Sequence, residues 1–259
     1  MTTNPKTHII IPARYHSTRL PAKPLLNLHG KPMILWTAEK ALQATFADSV
    51  CVATDDERIV SVCEKSGIPV VMTGKHASGT DRLGEVVRLL NLSDDDIIIN
   101  MQGDEPLVPP MLLEQAKNLL LNHDDCVMAT LCEVIDNHDD FYKNSVVKVV
   151  HARQNALYFS RSSIPYDRDA HLSGELGNTP QNAYRHLGVY AYRVKLLKEF
   201  GEWEQGVLER LESLEQLRIL ENGQKIAIDI AKVALPLGVD TQEDLDRLNA
   251  MPIDEFLQF

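Results

Sequence analysis

Cysteine is scarce: the 259 residues hold four, Cys51, Cys63, Cys126 and Cys132, with no C-x-x-C pair and no zinc-ligand spacing. Cys51 and Cys126 lie in apolar, strand-like runs, so buried free thiols in a reducing compartment are expected. No apolar run approaches the roughly 18 residues of a membrane helix, which argues against a membrane protein. The run Ile9-Ile10-Ile11 is cut short by Pro12, Ala13 and Arg14, so no secretory leader is expected, and the chain reads as cytoplasmic. Glycine-rich phosphate loops are missing too. No G-x-G-x-x-G and no Walker loop follows any apolar run, against a dinucleotide dehydrogenase or a P-loop kinase. Basic residues are outnumbered 26 to 37, a net charge of −11, which argues against a nucleic-acid binder. What remains, 44% hydrophobic and 24% charged, is ordinary for a globular chain with a sizeable core.

Acid is absent from residues 1–38, which nevertheless carry Lys6, Arg14, Arg19, Lys23 and Lys31. This head is +5, and the other 221 residues sum to −16. A basic head on an acidic protein points to a local anionic ligand rather than a long polyanion.

Short β-rich runs alternate with amphipathic stretches through the first half. Strands are expected at His8–Pro12, Val50–Thr54, Val70–Thr73, Ile97–Met101 and Val127–Cys132. Helices are expected at Met33–Ala44, Glu57–Lys65, Asp81–Leu90 and Leu112–Asn122. Continuous apolar strands between helices predict a mostly parallel α/β sheet covered on both faces, with ligands beyond the strands' carboxyl ends. Further on, strands are expected at Val146–His151, Ala156–Ser160, His186–Tyr192 and Lys225–Ala234, and a long polar loop at Arg168–Asn182. Leu208–Asn222 reads as one helix stopped by Gly223, and Thr241–Asn249 as a helix capped by Thr241. The reading is a single domain over 1–259 with an antiparallel excursion inserted around 133–190.

Chemistry is expected after the strands. Pro12 to Pro24 holds three prolines, so it forms a shaped loop, and it offers Arg14, Arg19 and Lys23 with the hydroxyls of Ser17 and Thr18. Guanidinium forks and a compact ammonium suit the oxygens of a triphosphate. Asp104, in Gln102-Gly103-Asp104-Glu105-Pro106, ends a strand where a carboxylate would hold magnesium or simply build a turn. Asp240, in Gly238-Val239-Asp240-Thr241, offers the same pair of readings, metal ligand or helix cap. Asp94-Asp95-Asp96 precedes a strand and reads as a solvated loop. The stripe Leu211, Leu214, Leu217 and Leu220 reads as core packing.

Taken in order, Pro12-Ala13-Arg14 through Lys23-Pro24, His76 to Arg82, Gln102 to Pro106, Arg185-His186-Leu187-Gly188 and Gly238 to Thr241 closely resemble the 3-deoxy-D-manno-octulosonate (Kdo) cytidylyltransferases, or CMP-Kdo synthetases. The resemblance runs from about residue 8 to 248; Pro252–Phe259 stands outside it. It implies a nucleotidyltransferase-type, glycosyltransferase-A-like sheet sandwiched by helices. It also implies transfer of CMP from CTP to the anomeric hydroxyl of Kdo, an eight-carbon acidic sugar, with Mg²⁺ and release of pyrophosphate, for lipopolysaccharide assembly. Arg14, Arg19 and Lys23 would hold the triphosphate, and Asp104 and Asp240 the metal. Ala13, Ser78, Gly79 and Gln102, with Arg82 nearby, would meet the nucleotide. Arg161, His186, Tyr190, Glu215 and Gln216 would meet the sugar, Arg161 or His186 facing its acid group; Tyr190 as simple packing and Glu215 as a partner of Arg218 are the alternatives. CMP-sialic acid synthetases share the nucleotide and chemistry, but the Gln-Gly-Asp-Glu-Pro turn and the Arg-His-Leu-Gly strand look like the Kdo branch. The family is typically homodimeric, with the excursion as its interface.

Overall fold

Ile9–Ile11 and Ile97–Ile99 are almost wholly buried, because both runs lie at the centre of a sheet packed on two faces. The computed structural model describes residues 5–16, 20–173, 180 and 182–259. Its first half runs β1 (Thr7–Ala13), a ribbon of β2 (Asn27–Leu28) and β3 (Lys31–Pro32), α1 (Met33–Leu42), β4 (Ser49–Thr54) and α2 (Glu57–Lys65). β5 (Val70–Met72), α3 (Gly79–Leu89), β6 (Ile97–Asn100) and α4 (Pro110–Leu121) follow. The second half holds β7 (Met128–Val134), α5 (His138–Tyr142), β8 (Lys148–Ala152), β9 (Asn155–Ser160), α6 (Arg168–Ser173) and β10 (Tyr184–Arg193). It ends with α7 (Val194–Phe200), α8 (Val207–Glu212), α9 (Gln216–Glu221), β11 (Ile226–Ile230), α10 (Gln242–Ala250) and α11 (Ile253–Phe256).

Among the described residues, nine strands form one sheet in the order β5-β4-β1-β6-β10-β7-β11-β9-β8. Only β9 and β10 run against the rest. Side chains alternate across it. Ile9, Ile11, Ile97 and Ile99 face α1, α2 and α4, while Ile10 and Ile98 face α3, α7 and α9. The excursion does not leave the sheet. β10 enters its middle, between β6 and β7, and the start of β10 also pairs β8. The pairings β10-β7-β11-β9-β8-β10 thus close a circuit around Phe159, Val149 and Met128.

Some local expectations need correction. Leu208–Asn222 is two helices, because Ser213 takes a left-handed conformation at φ 53°, ψ 50°. Arg218 grips Glu209 with two hydrogen bonds, at 2.7 and 2.6 Å, and folds α8 back on α9. That break leaves Leu211 exposed (77%) while Leu214 and Leu217 are buried, so the four-leucine stripe is not all core. The polar segment after residue 167 begins with α6 rather than loop; residues 174–179 and 181 lie outside the described residues. Asp94 and Asp95 are solvated, but Asp96 is buried, accepting the backbone N–H groups of Lys6 (2.9 Å) and Ser93 (3.1 Å). The C-terminal residues are tied down as well. Phe256 packs on Trp36 and His29, joining α10 and α11 to the β2–β3 ribbon in a separate small core.

Candidate active site

The loop after β1, the turn after β6 and the N-terminus of α3 converge on one cavity of about 570 Å³, closed on the far side by β10 and the α8–α9 turn. This is the crevice that α/β sheets leave beyond their strands' carboxyl ends. Ala22 donates its N–H to the Tyr15 carbonyl (3.0 Å), so the basic loop folds back on itself and hands the chain to a 3-10 turn at Lys23–Leu25.

Lys23 is the hub. Its Nζ donates to Asp104 Oδ2 (2.6 Å), Asp240 Oδ1 (3.0 Å) and the Val239 carbonyl (2.8 Å), one acceptor for each ammonium proton. Burial by itself would lower the Lys23 pKa. The charge and hydrogen bond of Asp104, then those of Asp240, outweigh it, and the net shift is upward. The two carboxylates come from turns 136 residues apart that are stitched by one backbone bond, Val239 N–H to the Asp104 carbonyl at 2.9 Å. Gly238 makes that approach possible: a Cβ there would sit 3.1 Å from the Asp104 carbonyl oxygen and 3.2 Å from Glu105 Cγ. Thr241 then closes a reciprocal capping box with Asp244, so the cap of α10 is Thr241 rather than Asp240. Beside the pair, Glu105 Oε2 is buried without a partner. Burial, and next the charges of Asp104 and Asp240, push its carboxyl up to about 8.

No group of three or more His, Cys, Asp or Glu side chains among the described residues is arranged for a metal. Two carboxylates converging on one cationic centre do fit magnesium, which is commonly held by one or two carboxylates with substrate phosphates.

Ala13, Arg14, Lys23, Gly79, Gln102 and Asp104 line the cavity together with Tyr190, Glu215 and Gln216. Arg14 is exposed there, with Nη1 donating to the Ala77 carbonyl at 3.0 Å. Ser78 stands one residue behind Gly79 as the α3 cap, accepting the Asp81 N–H at 3.1 Å. Glu215 meets α3 rather than Arg218: it accepts the Thr80 hydroxyl at 2.7 Å, placing a carboxylate at the helix's positive end. Arg19 lies outside the described residues.

Five described sequence-predicted residues are not on the cavity wall: Ser78, Asp240, which reaches it only through Lys23, and Arg82, Arg161 and His186. Arg82 is fully buried, its Nη2 on Asp55 (3.0 Å) and its Nη1 on the Thr73 hydroxyl. Arg161 spends Nε on the Glu212 carbonyl (2.8 Å) and Nη1 on that of Asn144 (3.1 Å). His186 lies behind Tyr190, ring centroids 5.4 Å apart, and burial pushes its pKa down to about 3, so the ring is neutral. The Thr130 hydroxyl already donates to the Val189 carbonyl (2.8 Å), so it accepts from His186 Nε2–H (3.0 Å), and Nδ1 faces the Gln216 amide at 3.5 Å. His186 therefore aims Gln216. His76 pairs with Glu85.

Sequence reading passed over Thr80, Asn100 and Tyr192, all on the cavity wall. Tyr192 carried a usable signal, since two residues along a strand from Tyr190 is the same face.

Sheet order and crevice together define a nucleotidyltransferase-type α/β protein. The family model of cytidylyltransferases matches residues 8–226. A 3-deoxy-manno-octulosonate cytidylyltransferase of Psychrobacter sp. (strain PRwf-1) is 63% identical over 262 residues, covering 97% of this chain and 95% of the relative. Its namesake in Acinetobacter baumannii (strain SDF) is 56% identical over 251 residues, covering 96% and 99%. A solved CMP:2-keto-3-deoxy-manno-octonic acid synthetase complexed with CTP superposes with TM-score 0.87 at 41% identity, covering 96% of this chain and 99% of that one. The chain belongs to the 3-deoxy-manno-octulosonate cytidylyltransferase family.

Proposed function

We propose that the chain transfers CMP from CTP to the anomeric hydroxyl of Kdo, releasing pyrophosphate and supplying activated sugar for lipopolysaccharide. The observation that carries the reading is one cavity lined by the basic loop, by Asp104, which Lys23 joins to Asp240, and by the hydrogen-bonding groups of Tyr190, Glu215 and Gln216. The sugar hydroxyl oxygen attacks the α-phosphorus, the bond to the β-phosphate oxygen breaks, and the hydroxyl proton leaves to solvent. Such a transfer needs positioning and charge compensation rather than a covalent nucleophile.

Asp104 and Asp240 are the groups that would hold Mg²⁺. When bound, that ion supplies charge for the phosphate oxygens and for the attacking hydroxyl. Lys23 and Arg14, with Arg19 of the same loop, compensate the charge that builds on departing pyrophosphate. Gly79, at the start of α3, lets a nucleotide lie close to that helix end. Tyr190, Glu215 and Gln216 orient the sugar, and neutral His186 orients Gln216.

The same reading carries a homodimer through residues 146–192, where Leu157 and Tyr166 are exposed (59% and 67%), and a cytoplasmic location. No helix of the described residues is long and apolar enough to cross a membrane.

The test is pyrophosphate release from CTP with Mg²⁺, comparing Kdo, sialic acid and no acceptor. Release with Kdo alone is expected. Release with sialic acid alone overturns the acceptor, and release with neither overturns the reaction.

A further inference from the structure

One polar atom on the cavity wall has nothing to bind. Asn100 is 2% exposed, lines the cavity, and its side-chain Oδ1 is buried without a hydrogen-bond partner. Native proteins rarely leave such an oxygen unpaired, because the lost hydration is not recovered. The Asn100 side chain stands beside the Tyr192 hydroxyl, and Oδ1 is the atom left unpaired.

The face is fixed. Asn100 stands opposite Tyr190 in the β6–β10 ladder, and Ile98 opposite Tyr192, so Asn100, Tyr190 and Tyr192 project to one side of the sheet. That side carries α3, α7 and α9, and the Tyr190 and Tyr192 rings stack there at 5.8 Å. Ala13, at the end of the basic loop's strand, points to the opposite side. Glu215 closes the group through Thr80.

We infer that Asn100 is a specificity-determining residue of the acceptor half of the cavity, its Oδ1 accepting a hydrogen bond from one hydroxyl of the sugar. A carbonyl oxygen selects a neutral donor and disfavours the sugar's carboxylate, so the contact reads the polyol part of the acceptor. The inference rests on the reaction proposed above.

Asn100→Ala is the test, with CTP, Kdo and a set of Kdo analogues each lacking one hydroxyl. Removal of one hydrogen bond to a neutral hydroxyl is expected to lower kcat/KM for Kdo about 3- to 10-fold, with KM for CTP unchanged. The wild type should lose the same factor on one analogue, and Asn100→Ala should lose nothing further on that analogue, since both changes delete the same bond. The midpoint of thermal unfolding should fall only by what the amide's contact with Tyr192 contributes, because Oδ1 gives up no protein partner. Should Asn100→Ala lose its fold, Asn100→Ser is measured in the same cycle. Losses that add on every analogue, an unchanged kcat/KM for Kdo, or an effect confined to CTP would each overturn the role of Asn100 while leaving the reaction standing. A wild type inactive on Kdo would overturn both.

Discussion

Lys23→Met removes the ammonium and keeps most of the side chain's length, leaving Asp104 and Asp240 facing each other across the vacated position. Removing one partner of a buried ion pair costs about 3–5 kcal/mol, and surface pairs give about 0–1 kcal/mol. This cluster lies between. The Lys23 side chain is 11% exposed, whereas those of Asp104 and Asp240 are 34% and 52% exposed and recover water. About 2 kcal/mol is therefore expected, or roughly 4–8 °C in Tm for a domain of this size. Differential scanning fluorimetry with and without millimolar Mg²⁺ measures it. Because the two carboxylates lose the Lys23 ammonium between them, Mg²⁺ should raise the Tm of Lys23→Met more than that of the wild type. Turnover should stay depressed at every Mg²⁺ concentration, since the ammonium charge that offsets the departing pyrophosphate is gone. A variant with wild-type Tm, or one that Mg²⁺ stabilises no more than the wild type, would refute the view that Lys23 bridges a pair of cation-seeking carboxylates.

Gly238→Ala brings a Cβ to 3.1 Å from the Asp104 carbonyl oxygen, so kcat should fall about tenfold by displacement of the Asp104–Asp240 pair, with a stability loss of about 1–2 kcal/mol, read by steady-state kinetics and thermal unfolding. Burial pushes the thiols of Cys51, Cys63 and Cys126 up to about 11 and that of Cys132 up to about 12; native protein should resist iodoacetamide at pH 8, and denatured protein should take up four labels by mass spectrometry. Glu212 accepts from Ser160 Oγ (2.6 Å) and Arg161 N–H (2.9 Å); burial opposes its ionisation, but these bonds prevail and its pKa is lowered. The stabilisation it lends is therefore present above its ordinary value of 4.5 and lost as pH falls through the lowered one. Glu212→Gln should cost about 1–2 kcal/mol at pH 7, and the gap in Tm should close towards pH 3.

Most of the fold was legible because two physical signals agree over long stretches. A strand buried on both faces has no polar positions to spare, so the isoleucine runs at 9–11 and 97–99 announce central strands. The amphipathic period of Glu57–Lys65 matches α2 end to end. The α8–α9 break was not legible, since helical periodicity passes straight through Ser213. What breaks the helix is the Glu209–Arg218 pair, which closes only when the chain has already turned. The insertion of β10 between β6 and β7 was hidden for the same reason: alternation shows that a segment is a strand, not which neighbours it takes.

At the site, legibility divides by what satisfies each charge. Lys23, Asp104 and Asp240 were found because each follows a strand or opens a helix, positions that a local pattern marks. Arg82 and Arg161 carry the same kind of charge, yet distant partners turn their guanidinium groups from the cavity. Asp55 is 27 residues from Arg82, and Glu212 is 51 from Arg161. A guanidinium has five donors, and whichever acceptors the fold brings nearest decide where it points. Asn100 shows the converse. In sequence it sits inside the expected strand Ile97–Met101, and only the three-dimensional count of donors and acceptors reveals an oxygen still waiting for one. Motifs therefore locate charges that the chemistry needs, whereas the surplus hydrogen-bonding capacity that selects a substrate becomes visible only once every internal partner is placed.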